Sequence, residues 1–367
     1  MTAETDQIHM AHALRLAERG NGACWPNPSV GCVLVKDGIV IGRGTTQPGG
    51  RPHAERVALA QAGEAARGAT AYVTLEPCAH HGKTSPCAEA LVAAGVARVV
   101  TAITDPDPRV AGRGHAILRA AGIEVTEGIL SPEARNITAG FLKRVTRGLP
   151  FVTLKLATTL DGRIATAAGE SRWITGPASR RAVHAMRMEH DAVMVGSGTA
   201  RADDPDLTVR DMGATRQPIR IVIDSSLSHS PDSRLGRTAR DVPVWLVHAP
   251  DAPTPAQDAW AATGAKLIAC PLNGPHPDLT AALTALAGQG LTRIFCEGGG
   301  GLAAALIRAG LTDELALFTA GALIGADGRA ALDPLGLTAL NEAPRLTLIS
   351  QRRSGADMLS RWRFHAP

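Results

Sequence analysis

His53, Glu55, Cys78 and Cys87 are the residues of this 367-residue sequence best suited to chemistry. They occur as His53-Ala54-Glu55, then Pro77-Cys78, then Cys87, with eight residues between the two cysteines. One imidazole and two thiolates can hold a zinc ion tetrahedrally and leave the fourth position to water. The metal lowers the pKa of that water toward neutrality. A carboxylate that is not a ligand, here Glu55, can then carry the proton.

The elements around these residues must bring them together. Ser85-Pro86-Cys87 reads as a helix start, with Ser85 as N-cap and Pro86 at the first helical position. Cys87 then falls in the first turn, where free N–H groups and the helix dipole favour a thiolate. His53 follows Pro52 at a second helix start. Residues two apart on a regular helix point to nearly opposite faces, so His53 and Glu55 share a site only if the metal lies across the helix end. Without a metal, His53 would be a cap and the cysteines buried hydrophobes. The conjunction of all three motifs favours zinc, an arrangement found in zinc deaminases of nucleobases. His80 and His81 sit inside the Cys78–Cys87 loop and could also ligate, although a pocket-facing or solvated histidine is the commoner outcome.

The pattern predicts a helix over 5–19, a hairpin of strands at Gly31–Val35 and Ile39–Gly44 turning at Lys36-Asp37-Gly38, and a helix from His53. A buried strand at Ala71–Leu75, a helix at Pro86–Ala94, a strand at Arg98–Ala102, a helix-strand pair over 112–127 and a helix at 131–146 follow. This βαβ rhythm implies a parallel or mixed sheet covered by helices. Gly148-Leu149-Pro150 breaks it and sets the domain boundary, giving domains 1–148 and 149–367. The second domain opens with a strand at Phe151–Ala157 and carries buried strands at 191–195, 219–223, 243–248 and 291–296, another α/β unit.

Composition narrows the function. A net charge of +4 and only 3% aromatic residues give little for a nucleic-acid groove or a base-stacking platform. No apolar run is long enough for a membrane span. The N-terminus lacks the apolar core of a secretory signal, and six cysteines in a long chain read as reduced thiols, so a cytoplasmic location is expected.

Three segments carry a resemblance. They are Pro26-Asn27-Pro28-Ser29-Val30-Gly31, the loop Glu76-Pro77-Cys78-Ala79-His80-His81-Gly82-Lys83-Thr84-Ser85-Pro86-Cys87, and Asp105-Pro106-Asp107-Pro108-Arg109-Val110-Ala111-Gly112-Arg113-Gly114. With the His-Ala-Glu motif, they closely resemble the bifunctional pyrimidine deaminase/reductase family of riboflavin biosynthesis. The resemblance implies an α/β protein of two domains: a cytidine-deaminase-like three-layer domain followed by a dihydrofolate-reductase-like domain. It implies zinc on His53, Cys78 and Cys87, proton transfer by Glu55, and deaminase substrate contacts at Asn27, Lys83, Thr84 and Asp105. The implied substrate is a diaminopyrimidinone bearing a ribosylamino 5′-phosphate. Chemistry agrees: Asn27 offers an amide to a base edge, and Lys83 and Thr84 precede a helix start suited to phosphate. This chain departs from the family at Thr46, where a histidine is usual, and at Asp107, where an asparagine is usual.

The second half resembles the reductase part of the same family through Leu160-Asp161-Gly162-Arg163-Ile164-Ala165, Gly169 to Gly176, Val195-Gly196-Ser197-Gly198-Thr199, Asp203-Asp204-Pro205 and Leu207-Thr208-Val209-Arg210. The glycine turns at Gly196–Gly198 and Gly298–Gly301 each follow a strand and allow backbone N–H groups to approach phosphate oxygens, although neither is a Rossmann fingerprint. The resemblance implies NADPH/NADP+ contacts at Ala157, Trp173, Thr199, Asp203, Ser225, and Gly299, Gly300, Gly301, Leu302, Ala303, Ala304 and Ala305. Reductase substrate contacts are implied at Ser171, Arg187, Leu207, Arg210 and Glu297. Asp203 and Glu297 are the candidate general acids. Gly321 stands where the family often has proline.

The expected reaction is zinc-dependent hydrolytic deamination followed by NADPH-dependent reduction of the ribosyl group to ribityl. Small pyrimidine ribosyl phosphates are the expected partners, without nucleic acid or membrane, in a homo-oligomer (dimer or tetramer). Two rival readings make different demands. A polynucleotide-editing deaminase would need Cys-x-x-Cys spacing and stacking aromatics. A structural zinc scaffold would need a fourth protein ligand.

Overall fold

The computed structural model describes residues 3–81, 85–108 and 110–365. The chain divides into two compact units, Met1–Leu149 and Pro150–Pro367.

The first unit runs α1 (Ala3–Glu18), β1 (Gly31–Lys36), β2 (Ile39–Thr45), α2 (Ala54–Ala62), β3 (Thr70–Val73), α3 (Cys87–Ala93), β4 (Arg98–Thr101), α4 (Arg113–Ala120), β5 (Glu124–Thr126) and α5 (Ser131–Arg147). Its sheet has the order β2-β1-β3-β4-β5. β1 is antiparallel to both β2 and β3, whereas β3, β4 and β5 are parallel. Asp37 and Gly38 both have positive φ, as a two-residue hairpin turn requires. Helices α1 and α5 contact each other, α1 packs on the sheet, and α2 packs on β1, β2 and α3. Met10, Leu14, Val33, Leu34, Tyr72, Leu91 and Leu118 fill the core between the layers. Gly44 is required here because a Cβ would stand 2.2 Å from the carbonyl of Ala54. That close approach brings the start of α2, and so His53, onto the sheet.

The second unit continues with β6 (Phe151–Thr159), β7 (Arg163–Ala165), α6 (Pro177–Met188), β8 (Ala192–Gly196), α7 (Ser197–Asp203), β9 (Ile219–Ile223), α8 (Arg234–Arg237), β10 (Val244–His248), α9 (Thr254–Ala262), β11 (Lys266–Ala269), β12 (Leu272–Asn273), β13 (His276–Pro277) and α10 (Leu279–Gly288). Then come β14 (Arg293–Cys296), α11 (Gly300–Arg308), β15 (Glu314–Ala320), β16 (Arg329–Ala330), β17 (Leu346–Ser354) and β18 (Asp357–Phe364). Its main sheet has nine strands in the order β11-β10-β9-β8-β14-β6-β15-β18-β17. The strands from β11 to β15 are parallel, and β18 and β17 extend the sheet antiparallel. Strands β9 and β10 are buried along their whole length and mostly apolar, as strands covered on both faces must be.

The predicted strands and helices appear within a few residues of their expected bounds, but one cap does not. Helix α3 begins at Cys87 with Pro86 before it and no side-chain cap. The Ser85 hydroxyl instead meets the Arg56 guanidinium. Among the described residues, no helix is long and apolar enough to cross a membrane. All six cysteines are free thiols.

Candidate functional site

In the first unit, His53 is the extended residue preceding α2, with its side chain free of any capping role. Glu55 lies two residues on, in the first turn, and is buried. Cys78 lies in the loop after β3, and Cys87 opens α3, its N–H donating to the Cys78 sulfur at 3.3 Å. Two helix starts therefore face one point, which resolves the spacing problem of His53 and Glu55.

His53 Nδ1, Cys78 Sγ and Cys87 Sγ all lie within 4.8 Å of one another. His53 Nδ1 is 3.6 Å from Cys78 Sγ and 3.3 Å from Cys87 Sγ. Tetrahedral zinc with bonds of about 2.3 Å to sulfur and about 2.0 Å to nitrogen separates those donors by about 3.6 Å, so the donor set fits the ion. Among the described residues, no fourth ligand joins the group, which leaves the structural-scaffold reading without support.

The electrostatics point the same way. Cys87 beside it, its N–H and the His53 ring hold the Cys78 thiol down at about 4. The Cys78 thiolate and burial push the Cys87 thiol up. The hydrogen bond to Cys78 raises His53. Two thiolates this close repel, and a cation among them allows both to ionise. Burial, with the Cys78 charge next, raises Glu55 to about 7.

A cavity of about 180 Å³ opens beside these groups. Its wall includes Asn27, Thr46, Arg51, Glu76, His80 and Asp105 as well as His53, Glu55 and Cys78. The predicted contacts Asn27 and Asp105 thus join the metal-competent group, whereas Lys83 and Thr84 lie outside the described residues. The departures Thr46 and Asp107 both line the cavity. The Thr46 hydroxyl accepts from the Val30 N–H at 3.0 Å, so it is already used in holding the loop. His80 faces the cavity wall, and His81 pairs with Glu89 at the surface. Arg51 and Glu76 are wall residues that the motif reading missed. A charged residue next to the His-Ala-Glu motif was the available signal for Arg51.

In the second unit, the connections after β8 and β14 leave in opposite directions, toward β9 and toward β15. Such a switch point between parallel strands forms a crevice at their carboxyl ends. Gly299, just ahead of α11, donates its N–H to Thr199 Oγ1 in α7 at 3.0 Å across it. Ala157 lies near the end of β6, Ser225 follows β9, and Asp203 ends α7, so these predicted residues share that edge. Trp173 is 68% exposed, with the Arg180 guanidinium 4.6 Å from its ring centre. Ala303 and Ala304 are wholly buried, so only the backbone of Gly299 to Gly301 and the exposed edge of the helix can face a ligand. The glycines and the start of α11 fit a dinucleotide phosphate.

Arg187 Nε and Nη2 donate to Glu297 at 2.6 and 3.1 Å, and Nη1 donates to the Thr208 carbonyl at 2.6 Å. Arg210 is exposed, pairs with Asp206 at 2.9 Å and takes a backbone contact with His184. Leu207 is buried, and Ser171 is exposed. Burial pushes Glu297 up, but Arg187 outweighs it and holds the carboxyl below its usual range. Glu297 is thereby held as the anionic partner of Arg187. Lys155 on β6, absent from the sequence-derived candidates, lies in the field of Glu297, Arg187 and Asp203. Burial lowers it, while Glu297 pushes back and Arg187 adds to the fall. An alternating strand pattern marks Lys155 only as an interior polar position, so its partners had to come from the fold.

The family described as the RibD C-terminal domain matches residues 150–360. The cytidine and deoxycytidylate deaminase zinc-binding region matches residues 3–103. The riboflavin biosynthesis protein RibD of Escherichia coli (strain K12) is 45% identical over 96% of this chain and 98% of its own. The chain belongs to the RibD family. It is a bifunctional enzyme of riboflavin biosynthesis, a zinc-dependent deaminase domain followed by a reductase domain. Acinetobacter baumannii RibD, form 1, superposes with a TM-score of 0.89 at 39% identity, covering 99% of this chain and 100% of that one. A diaminohydroxyphosphoribosylaminopyrimidine deaminase/5-amino-6-(5-phosphoribosylamino)uracil reductase from Thermotoga maritima gives 0.86 at 33% identity, covering 99% of both chains.

Proposed function

We propose that residues 1–148 deaminate a diaminopyrimidinone ribosylamino 5′-phosphate and that residues 149–367 reduce the ribosyl group of the resulting aminouracil phosphate to ribityl. The convergence of His53, Cys78, Cys87 and Glu55 on one cavity carries this reading. His53, Cys78 and Cys87 hold the zinc. When bound, it makes water nucleophilic near neutral pH. Glu55 would take one proton from the attacking water and pass it to the ring nitrogen, then take the hydroxyl proton of the attacked carbon and pass it to the amine, which leaves as ammonia as the carbonyl forms. Burial, which raises the pKa of Glu55, suits a group that must both accept and donate. Asn27 and Asp105 bind polar edges of the base from the cavity wall, and Lys83 and Thr84 hold the phosphate.

In the second unit, the backbone of Gly299 to Gly301 and the open edge of the helix at Leu302 and Ala305, with Thr199, Asp203, Ser225, Ala157 and Trp173, bind NADPH. When bound, the cofactor supplies a hydride to C1′ of the ribose. Arg210, Ser171, Leu207 and the Arg187–Glu297 pair bind the substrate. Lys155, with its lowered pKa, gives a proton to the ring oxygen freed when the C1′–O4′ bond opens. The chain works in the cytoplasm on small phosphates, as a homo-oligomer. β17 supports the last point: it is an edge strand, almost wholly exposed, with Leu348 and Ile349 open to solvent.

The test is ammonia release from the diaminopyrimidinone phosphate by zinc-loaded protein without nicotinamide cofactor, followed by NADPH oxidation once product has formed. Both activities are expected from the one chain. Absence of ammonia release at full zinc occupancy would overturn the reading.

A further inference from the structure

Glu76 is a buried carboxylate on the wall of the deaminase cavity that no step above uses. Its Oε1 accepts from the backbone N–H groups of Gly114 at 2.9 Å and His115 at 3.3 Å. Its Oε2 accepts from those of Asp105 at 3.1 Å and Gly112 at 3.0 Å. Asp105 Oδ1 in turn accepts from the Asp107 N–H at 2.9 Å. The Glu76 backbone is tied as well, its N–H donating to the Ile103 carbonyl at 2.9 Å. The packing is close: a Cβ on Gly114 would stand 2.0 Å from the Pro77 carbonyl and 3.1 Å from Glu76 Oε1.

Both carboxylate oxygens are thus occupied by four donors, two of them in the first turn of α4. A carboxylate satisfied in this way is not free to move protons for substrate. It does fix geometry. One residue, Pro77, separates Glu76 from Cys78, and one hydrogen bond separates it from Asp105. The metal segment and the wall that faces the base are therefore clasped by one side chain. Only a carboxylate can do this. A glutamine has one acceptor oxygen, and its NH₂ would confront two of the N–H donors.

We infer that Glu76 is a positioning residue of the deaminase, setting Asp105 and its loop against Cys78 so that the substrate is held where the metal-bound chemistry occurs. The inference rests on the deaminase reading above. Outer contacts that orient a site typically change affinity or activity by roughly 10- to 100-fold when removed.

The experiment uses the full-length, zinc-loaded chain and its Glu76→Gln and Glu76→Asp variants. Bound zinc, deaminase kcat and KM, and reductase turnover are measured in each. Glu76→Gln is expected to keep its zinc and reductase turnover, to raise deaminase KM by roughly 10- to 100-fold, and to alter kcat by less than about threefold. Glu76→Asp keeps the charge and should fall between. A KM within about twofold of wild type in zinc-loaded Glu76→Gln would overturn the inference, as would a fall in kcat alone. If Glu76→Gln loses zinc, Glu76→Asp decides: a raised KM with zinc bound supports positioning, and a wild-type KM overturns it. Loss of zinc from both variants would make Glu76 an element of folding only and also overturn it. Wild-type protein that releases no ammonia would instead sink the deaminase reading, which is a distinguishable result.

Discussion

Removing Arg187 tests the charge arrangement of the reductase unit most directly. Arg187 and Glu297 form a two-pronged pair whose side chains are 11% and 10% exposed. At about 3 Å and an effective dielectric of about 20, the gross attraction is about 5 kcal/mol. Desolvation cancels much of it, so the pair as a whole adds little stability. Breaking one side differs, because Arg187→Met would leave the Glu297 carboxylate buried and the Thr208 carbonyl without this donor. Lys155 would remain its neighbouring cation. The expected cost is about 3–5 kcal/mol. Glu297→Gln added to Arg187→Met removes the stranded charge, and the double variant should recover about 2 kcal/mol or more of that loss. Urea unfolding followed through tryptophan fluorescence, to which the buried Trp260 contributes, measures Arg187→Met, Glu297→Gln and the double variant. A single-variant cost below about 1 kcal/mol, or strict additivity in the cycle, would refute a buried and mutually dependent pair.

Three further outcomes follow from the same structure. Glu55→Gln should keep its zinc and its reductase turnover while deaminase kcat falls by roughly 10²- to 10⁴-fold; ammonia release near the wild-type rate would remove Glu55 from proton transfer. Chelating the metal should lower the thermal midpoint of the first unit and abolish deamination, with NADPH-dependent turnover of supplied aminouracil phosphate unchanged; parallel loss of both activities would contradict separate sites. His190 is buried between the Met186 carbonyl and Thr153, and burial holds it down at about 3, against an ordinary value of 6.5. The unfolded chain therefore binds the extra proton below 6.5, and stability is lost as pH falls from there toward 3. Between pH 6.5 and 5.0 that loss is about 2 kcal/mol, and His190→Gln should flatten the dependence by this amount in urea titrations; an unchanged slope would rule His190 out as its source.

The sequence by itself determined the metal chemistry and much of the element order. His-Ala-Glu, Pro-Cys and the second cysteine specify donor types, and donor type alone points to zinc and a proton carrier. Periodicity and turn residues placed the hairpin at Asp37-Gly38 and the buried strands, because these depend on neighbours along the chain. Ser85 was misread as a cap because its partner, Arg56, lies 29 residues away and is invisible to local pattern. Lys155 and Glu297 show the same limit. Lys155 drew no role from the sequence and Glu297 drew one only through the family resemblance, and the fold is what sets them beside Arg187. Tertiary structure also decided that Glu297 is held as an anion and that Glu76 is spent on four backbone donors. A protonation state and a satisfied carboxylate depend on burial and on charges brought from distant segments. Spacing along the chain sets neither.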